Sequence, residues 1–149
     1  MTGSPDGAAW TETALRAIRA AGHRSGGARQ AVVELLAEHR TGLTALQIAD
    51  LLHGRAGTAS VYRALGLLVE LGLLHALDLG QGATRYELIL PDGQHHHHLV
   101  CRRCGRTDVF ADPRLERVLA RVEDDARYTI DGHDVVLRGL CPTCAGDNG

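Results

Sequence analysis

The sequence contains no lysine, and all 16 of its basic residues are arginine. A P-loop and a Schiff-base enzyme each require a lysine side chain, so both classes are excluded. The formal net charge is only −2, so the overall charge does not indicate nucleic-acid binding. Any affinity for DNA must therefore come from the local placement of arginine.

Aromatic residues are also scarce, at 3% of the chain, and no long uninterrupted apolar run is present. The core must therefore be built from Leu, Val, Ile and Ala. Because neither a membrane-spanning run nor a signal peptide is visible, we expect a cytoplasmic protein without membrane association. A chain of 149 residues is long enough for one domain or for two small ones.

The four cysteines form two Cys-x-x-Cys pairs, Cys101 with Cys104 and Cys141 with Cys144. In a reducing cytosol such pairs are expected to be thiolate ligands rather than disulfides. Four thiolates leave zinc no open position for water, so the pattern predicts a structural Zn2+ site. The 36 residues between the pairs exceed the usual zinc-ribbon spacing, so the ion would join two turns around an intervening helix and strand.

Four consecutive histidines, His95 to His98, precede the first cysteine pair. Their position inside the chain, between strand-like segments, argues against an affinity tag. In an extended strand, successive side chains point to opposite faces, so His95 and His97 would share one side and His96 and His98 the other. Since imidazole is a common metal ligand, one strand could serve two separate metal sites.

Hydrophobic spacing predicts four helices and then a hairpin in the first part of the chain. Residues 1–9 are small and polar and are expected to be disordered. The helices are predicted at 10–21, 28–38, 45–52 and about 58–71, and the strands at 73–79 and 84–90. This order is that of a winged helix-turn-helix, although a helical bundle with an added hairpin has the same pattern.

In a winged helix, the last helix presents its N-terminal residues to base edges in the major groove. Ser60, Tyr62 and Arg63 are therefore the predicted DNA-facing residues. We assign residues 10–90 to this DNA-binding domain and residues 91–94, a Pro-Asp-Gly-Gln break, to a hinge.

Residues 95–149 are predicted to form a small sheet with one helix. Strands are expected around 98–100, 107–110 and 135–140, and a helix is expected to begin after Asp112 as N-cap. Such a unit has open sheet edges and a thin core, which pairing with a second copy would cover. We therefore expect an α+β protein whose C-terminal α/β domain forms a twofold dimer.

With these segments the chain resembles the ferric uptake regulator (Fur) superfamily. The resemblance rests on TASVYRAL at 58–65, RYEL at 85–88, HHHHLVCRRCG at 95–105, Glu116, His133 and CPTC at 141–144. It implies a metal-dependent transcriptional repressor of metal-homeostasis genes that binds palindromic double-stranded operator DNA as a homodimer. In this picture, metal binding closes the hinge so that the dimer fits its operator.

The resemblance also implies residue roles. The four cysteines match the family's structural zinc site, Tyr62 and Arg63 match residues that meet DNA, and Arg24 falls where a basic side chain reaches the minor groove. The implied regulatory metal site comprises His75, Glu87, His96 and His98. The implied second metal site comprises His95, His97, Glu116 and His133.

Three departures from the family pattern bear on the identity of the sensed metal. Many iron-sensing members take another ligand at the position of Gly42, and an acid at the position of Val109. The wing cysteine of actinobacterial zinc sensors is absent too. Fe2+ and Zn2+ are both expected to suit the regulatory site, and Mn2+ also fits its donors.

Other functions compete with this interpretation. A peroxide sensor of the same family would oxidise His96 or His98 through bound iron, and a zinc-binding module would lack DNA binding. A zinc deaminase requires H-x-E followed by P-C-x-x-C, whereas Pro142 lies inside the second cysteine pair and no His precedes a Glu by two residues. We therefore expect no catalytic residues and no enzyme activity.

Overall fold

The computed structural model of the chain describes residues 5–39, 41–90 and 96–146. It divides into two compact units, residues 1–94 and 95–149. Each unit combines helices with a three-stranded sheet, which confirms the predicted α+β class. Residues 1–4 of the predicted tail, the predicted hinge at 91–94 and His95 lie outside the described residues. None of the described helices is long and apolar enough to cross a membrane.

The N-terminal unit is a winged helix-turn-helix. Its elements are α1 (Pro5–Ala20), α2 (Ala28–Glu38), β1 (Leu43–Thr44), α3 (Ala45–Leu51), α4 (Thr58–Glu70), β2 (Leu74–Asp78) and β3 (Thr84–Leu88). The strands form an antiparallel sheet in the order β1-β3-β2, in which β2 and β3 make the wing hairpin. Helices α3 and α4 are the helix-turn-helix pair.

The start of α3 is fixed by a capping box. The hydroxyl of Thr44 accepts from the backbone N–H of Gln47 at 3.2 Å, and the Gln47 side chain accepts from the backbone N–H of Thr44 at 2.9 Å. Such a cap contributes about 1 kcal/mol to helix stability. Because Thr44 also lies in β1, the cap fixes the junction between the sheet and the helix-turn-helix.

The prediction of disorder over residues 1–9 is wrong for residues 5–9, which form the first turns of α1. Trp10 is fully buried, and its indole N–H donates to the carbonyl of Leu73 at 3.3 Å. A methyl group on Gly7 would lie 2.6 Å from the carbonyl oxygen of Ala37, so α1 and α2 approach closely there. Gly7, one of the small residues that suggested disorder, instead permits this helix contact.

The C-terminal unit has a sheet in the order β5-β4-β6. Its elements are β4 (His97–Cys101), β5 (Thr107–Phe110), α5 (Pro113–Ala126), β6 (Val136–Gly139) and α6 (Pro142–Gly146). Strand β4 is antiparallel to β5 and parallel to β6, so α5 belongs to the crossover between β5 and β6. Asp112 caps α5 through the N–H of Arg114 at 2.8 Å, while the short α6 was not predicted.

Candidate metal centres and nucleic-acid interface

The two cysteine pairs come together at one end of the sheet of the C-terminal unit. Cys101 ends β4, Cys104 follows in the adjoining turn, and Cys141 and Cys144 lie after β6. All four sulfur atoms lie within 4.8 Å of one another, and the Sγ atoms of Cys104 and Cys141 are 3.8 Å apart. Zinc–sulfur bonds of about 2.3 Å in a tetrahedron separate the sulfurs by about 3.8 Å. The cluster therefore fits a tetrathiolate zinc ion.

Backbone hydrogen bonds shape the first cysteine turn. The N–H of Cys101 donates to the Arg106 carbonyl at 2.9 Å, and the N–H of Gly105 donates to the Cys101 carbonyl at 3.0 Å. Gly105 has φ of 75°, a left-handed conformation that glycine adopts without strain. The turn thus holds Cys101 and Cys104 on the same side.

Other backbone groups around the cluster change the pKa values of the thiols. Hydrogen bonds from the backbone at Cys104 and Cys141 lower the pKa of Cys101 to about 6. Hydrogen bonding to Cys141 and burial raise the pKa of Cys144 to about 12. Four neighbouring thiolates repel one another, so a divalent cation is what allows all of them to be deprotonated together.

A second donor group lies in the same unit, on the α5 side of the sheet. The Glu116 carboxylate contacts His97 Nε2 through Oε1 at 2.6 Å and His133 Nε2 through Oε2 at 3.0 Å. The two imidazole rings are 5.4 Å apart between centroids, and His97 is only 1% exposed. Two nitrogens and a carboxylate within 4.8 Å form an N/O set suited to a divalent transition metal. His95, the predicted fourth member, lies outside the described residues.

His96 and His98 form a separate pair. Their rings meet edge to face with centroids 5.3 Å apart, and His98 is 3% exposed. His97 lies between them in sequence but contacts Glu116 instead. The alternation along the strand therefore divides the three described histidines between two groups.

His75 and Glu87, the predicted wing donors, are neighbours in the N-terminal unit. They are directly paired across β2 and β3, so their side chains project from the same face of the wing. Both are half-buried. Each unit thus supplies two of the four residues assigned to the regulatory site from sequence.

The N-terminal half of α4 presents polar side chains outward while its apolar side chains form the core. Val61 and Leu65 are fully buried, whereas Tyr62 is 50% exposed and Arg63 is exposed. The Arg63 guanidinium donates to the hydroxyl of Ser60 at 3.2 Å, and no ion pair to a carboxylate involves it within the described ranges. This surface can offer a cation and two hydroxyl groups to DNA.

Two arginines that sequence reasoning did not single out support these sites. Arg29 donates to the backbone carbonyl of Arg24 at 3.1 Å and so fixes the exposed loop that carries Arg24. Arg103 donates to the carbonyl of Cys144 at 2.9 Å and links the two cysteine turns. Arg103 lies inside the first Cys-x-x-Cys pair, which is the only sequence signal for its role.

The family model for the ferric uptake regulator family matches residues 20–138. The chain belongs to this family. It is 40% identical over 91 residues to the ferric uptake regulation protein of Bacillus subtilis (strain 168), covering 60% of this chain and 61% of that protein. It is 36% identical over 88 residues to the Bordetella parapertussis protein of the same name, covering 59% and 62%. The matched region therefore spans about three fifths of these curated relatives.

Solved structures of Fur-type regulators are similar along nearly the whole chain. The Helicobacter pylori ferric uptake regulator, described as having three functional metal-binding sites, matches with TM-score 0.80 and 25% identity over 97% of both chains. A zinc uptake regulator complexed with zinc and DNA matches with TM-score 0.60 and 21% identity over 97% of this chain and 98% of that one. The second likeness concerns the fold alone. The family resemblance predicted from sequence is confirmed.

The thiolate cluster leads to a prediction about stability. The substitution Cys101→Ser should abolish zinc retention and lower the melting temperature by more than about 10 °C, because structural zinc binding contributes to the free energy of folding. Metal analysis and circular dichroism melting measure both effects. Thr143→Ser, inside the second pair but without a metal donor role, and His133→Ala should both retain this zinc. A Cys101→Ser protein with full zinc content would contradict the structural assignment.

Proposed function

We propose that this protein is a metal-dependent transcriptional repressor that binds operator DNA as a homodimer. The proposal depends on one observation, the presence of two separate groups of potential metal donors in the C-terminal unit. A cluster of four cysteines lies apart from His97 and His133, which both contact the Glu116 carboxylate. The first set consists of thiolates alone, whereas the second consists of imidazole and carboxylate donors. Joined to a winged helix, such donors serve sensing and not catalysis.

The chemistry of each donor set indicates its ion. Four thiolates take Zn2+ and exclude water, so we assign this ion a structural role. Imidazole and carboxylate donors suit Fe2+, Zn2+ and Mn2+, and such ions exchange more readily than a tetrathiolate zinc. The regulatory ion is therefore one of these three, held without thiolate.

We assign the regulatory ion to His75 and Glu87 of the N-terminal unit together with His96 and His98 of the C-terminal unit. An ion bound by donors from both units fixes their relative orientation, whereas the metal-free protein lacks this link. Shifting a two-state equilibrium from 1:99 to 99:1 requires about 5.5 kcal/mol of differential binding. Several metal–ligand bonds supply a free energy of this size. By linkage, operator DNA tightens metal binding by the same factor that metal tightens DNA binding.

The exposed surface of helix α5 supports the proposal of a homodimer. It has an apolar stripe, yet none of its residues is buried. Val118 and Val122 are 55% and 49% exposed, and Leu99 and Leu137 on the sheet are 40% and 51% exposed. Strands β5 and β6 are also the two edges of this sheet in the part of the unit that the structure describes. A second copy of the unit, related by a twofold axis, would cover these surfaces and pair two recognition helices for a palindromic operator.

The dimer is tested by one apolar-to-acidic substitution. Leu137→Glu would bury a carboxylate in the proposed interface, so the protein should become monomeric at concentrations where the parent is dimeric. Sedimentation velocity measures the change. Leu51→Glu, on α3 and 40% exposed, is the matched control and should leave the dimer intact. A dimeric Leu137→Glu protein would place the interface elsewhere.

The DNA interface is tested by removing one cation. Arg63→Ala should weaken operator binding by about 5- to 150-fold, the range for one base-edge contact of about 1–3 kcal/mol, and reduce discrimination between operator and unrelated DNA. Fluorescence anisotropy over a series of salt concentrations separates this effect from a uniform loss of phosphate contacts. The control Arg106→Ala removes an arginine that pairs with Asp108 in the other unit. Equal affinities for the two variants would argue against α4 as the recognition helix.

The metal response is tested at His98. His98→Ala should yield a folded dimer with zinc in the thiolate cluster whose operator affinity no longer rises with added metal. Loss of a direct ligand should weaken regulatory binding by more than about 100-fold, because even outer-shell partners contribute about 10- to 100-fold. The control His39→Ala removes a ring that hydrogen-bonds to the Leu35 carbonyl at 2.8 Å, away from the proposed donors, and should keep the response. Unchanged metal dependence in His98→Ala would remove His98 from the regulatory site.

A further inference from the structure

Gly42 is buried, and the side chain of Glu87 occupies the space beside it. A methyl group on Gly42 would lie 2.8 Å from Glu87 Cγ and 3.0 Å from Glu87 Oε1. It would also lie 3.3 Å from the Cβ of Arg85. Contacts below 3.0 Å are not tolerated by carbon atoms, so the conformation of Glu87 depends on the absence of a side chain at residue 42.

Strand pairing explains why these residues meet. Strand β1 pairs with β3 through Leu43 and Tyr86, so Gly42 reaches β3 next to Glu87. On the other side of β3, Glu87 is paired with His75. The Arg85 guanidinium donates to the carbonyl of Gly42 at 2.9 Å and fixes the backbone there. Glu87 is thus bounded by an imidazole on one side and by bare, fixed backbone on the other.

We infer that Gly42 is a positioning residue for the metal-binding carboxylate of Glu87. The inference rests on the proposed function, in which Glu87 is a regulatory donor. With glycine at residue 42, the carboxylate lies back over the backbone on the same face as His75. Any larger residue pushes it out of this position, so Gly42 determines where the N-terminal unit presents this carboxylate to the ion.

The steric conflict with a larger residue affects binding more than folding. Glu87 is half-buried and has a flexible side chain, so its carboxylate can rotate away at little cost in stability. The nearest atoms are the side-chain Cγ and Oε1, not backbone atoms. Gly42→Ala is therefore expected to yield a folded protein with a displaced donor.

A double-mutant cycle tests this inference. Zinc affinity is measured by chelator competition in the full-length protein. All variants carry His133→Ala, which disrupts the second N/O site, and their thiolate cluster is already loaded with zinc. Gly42→Ala should weaken binding by about 10- to 100-fold, as expected for a residue that orients a ligand. Glu87→Ala should weaken binding at least as much. In the Glu87→Ala background, Gly42→Ala should have no further effect.

Gly66→Ala is the matched control, because nothing lies within 4 Å of the position of its added methyl group. It should leave zinc affinity unchanged. If Gly42→Ala instead lowers the melting temperature, adding Glu87→Ala should restore most of it, because the truncation removes Cγ and Oε1, the two atoms nearest to the added methyl group. Failure of this recovery would overturn the inference.

The regulatory donor set and the role of Gly42 can fail separately. If Glu87→Ala alone leaves zinc affinity unchanged, the regulatory donor set of the proposed function is wrong. If Glu87→Ala weakens binding but Gly42→Ala does not, the inference about Gly42 is wrong and the donor set stands. An equal effect of Gly42→Ala with and without Glu87 would likewise show that Gly42 acts independently of the carboxylate.

Discussion

The convergence of four cysteine sulfurs is the constraint on which the C-terminal unit depends. Among its described residues only a few side chains are buried, and two of these are cysteines. A unit of this size gains only marginal stability from the burial of apolar surface. The zinc ion that we propose for this cluster would join segments 36 residues apart and compensate for the small core. The sheet that this cluster closes is also the one that carries the histidines.

Along the segment from His96 to His98, successive imidazoles belong to different groups of side chains. His97 faces the helix that carries Glu116, whereas His96 and His98 contact each other away from it. The same β4 that ends in Cys101 therefore begins with histidines that belong to two other groups of potential metal donors. Pairing with β5 and β6 positions the imidazoles of His97 and His98 on this strand, and a metal ion in the cysteine cluster would hold its other end.

Much of this arrangement is encoded locally and could be predicted. The bounds of α2, the capping of α3 by Thr44 and the capping of α5 by Asp112 follow from helix periodicity and N-cap chemistry. The matched cysteine spacings indicate a metal cluster regardless of the fold. The family resemblance extended this to residues far apart, such as Glu116 and His133.

What could not be predicted depends on long-range contacts. Residues 5–9 look like a disordered tail by composition, but Trp10 is anchored 63 residues away at the Leu73 carbonyl. In the sequence, Gly42 indicates only a turn or the absence of a ligand. Its contact with Glu87 results from the pairing of β1 with β3. Short helix α6 has too few residues for a periodic pattern.

The exposed stripe of α5 has a consequence for the abundance of the active species. A helix with no buried residue in its own chain lacks the tertiary packing that normally stabilises helices in water. If a second chain supplies that packing, completion of the fold is a bimolecular event, and the concentration of finished regulator rises with the square of the concentration of free chains when dimers are scarce. A change in the rate of synthesis would then change the concentration of the dimer more than proportionally.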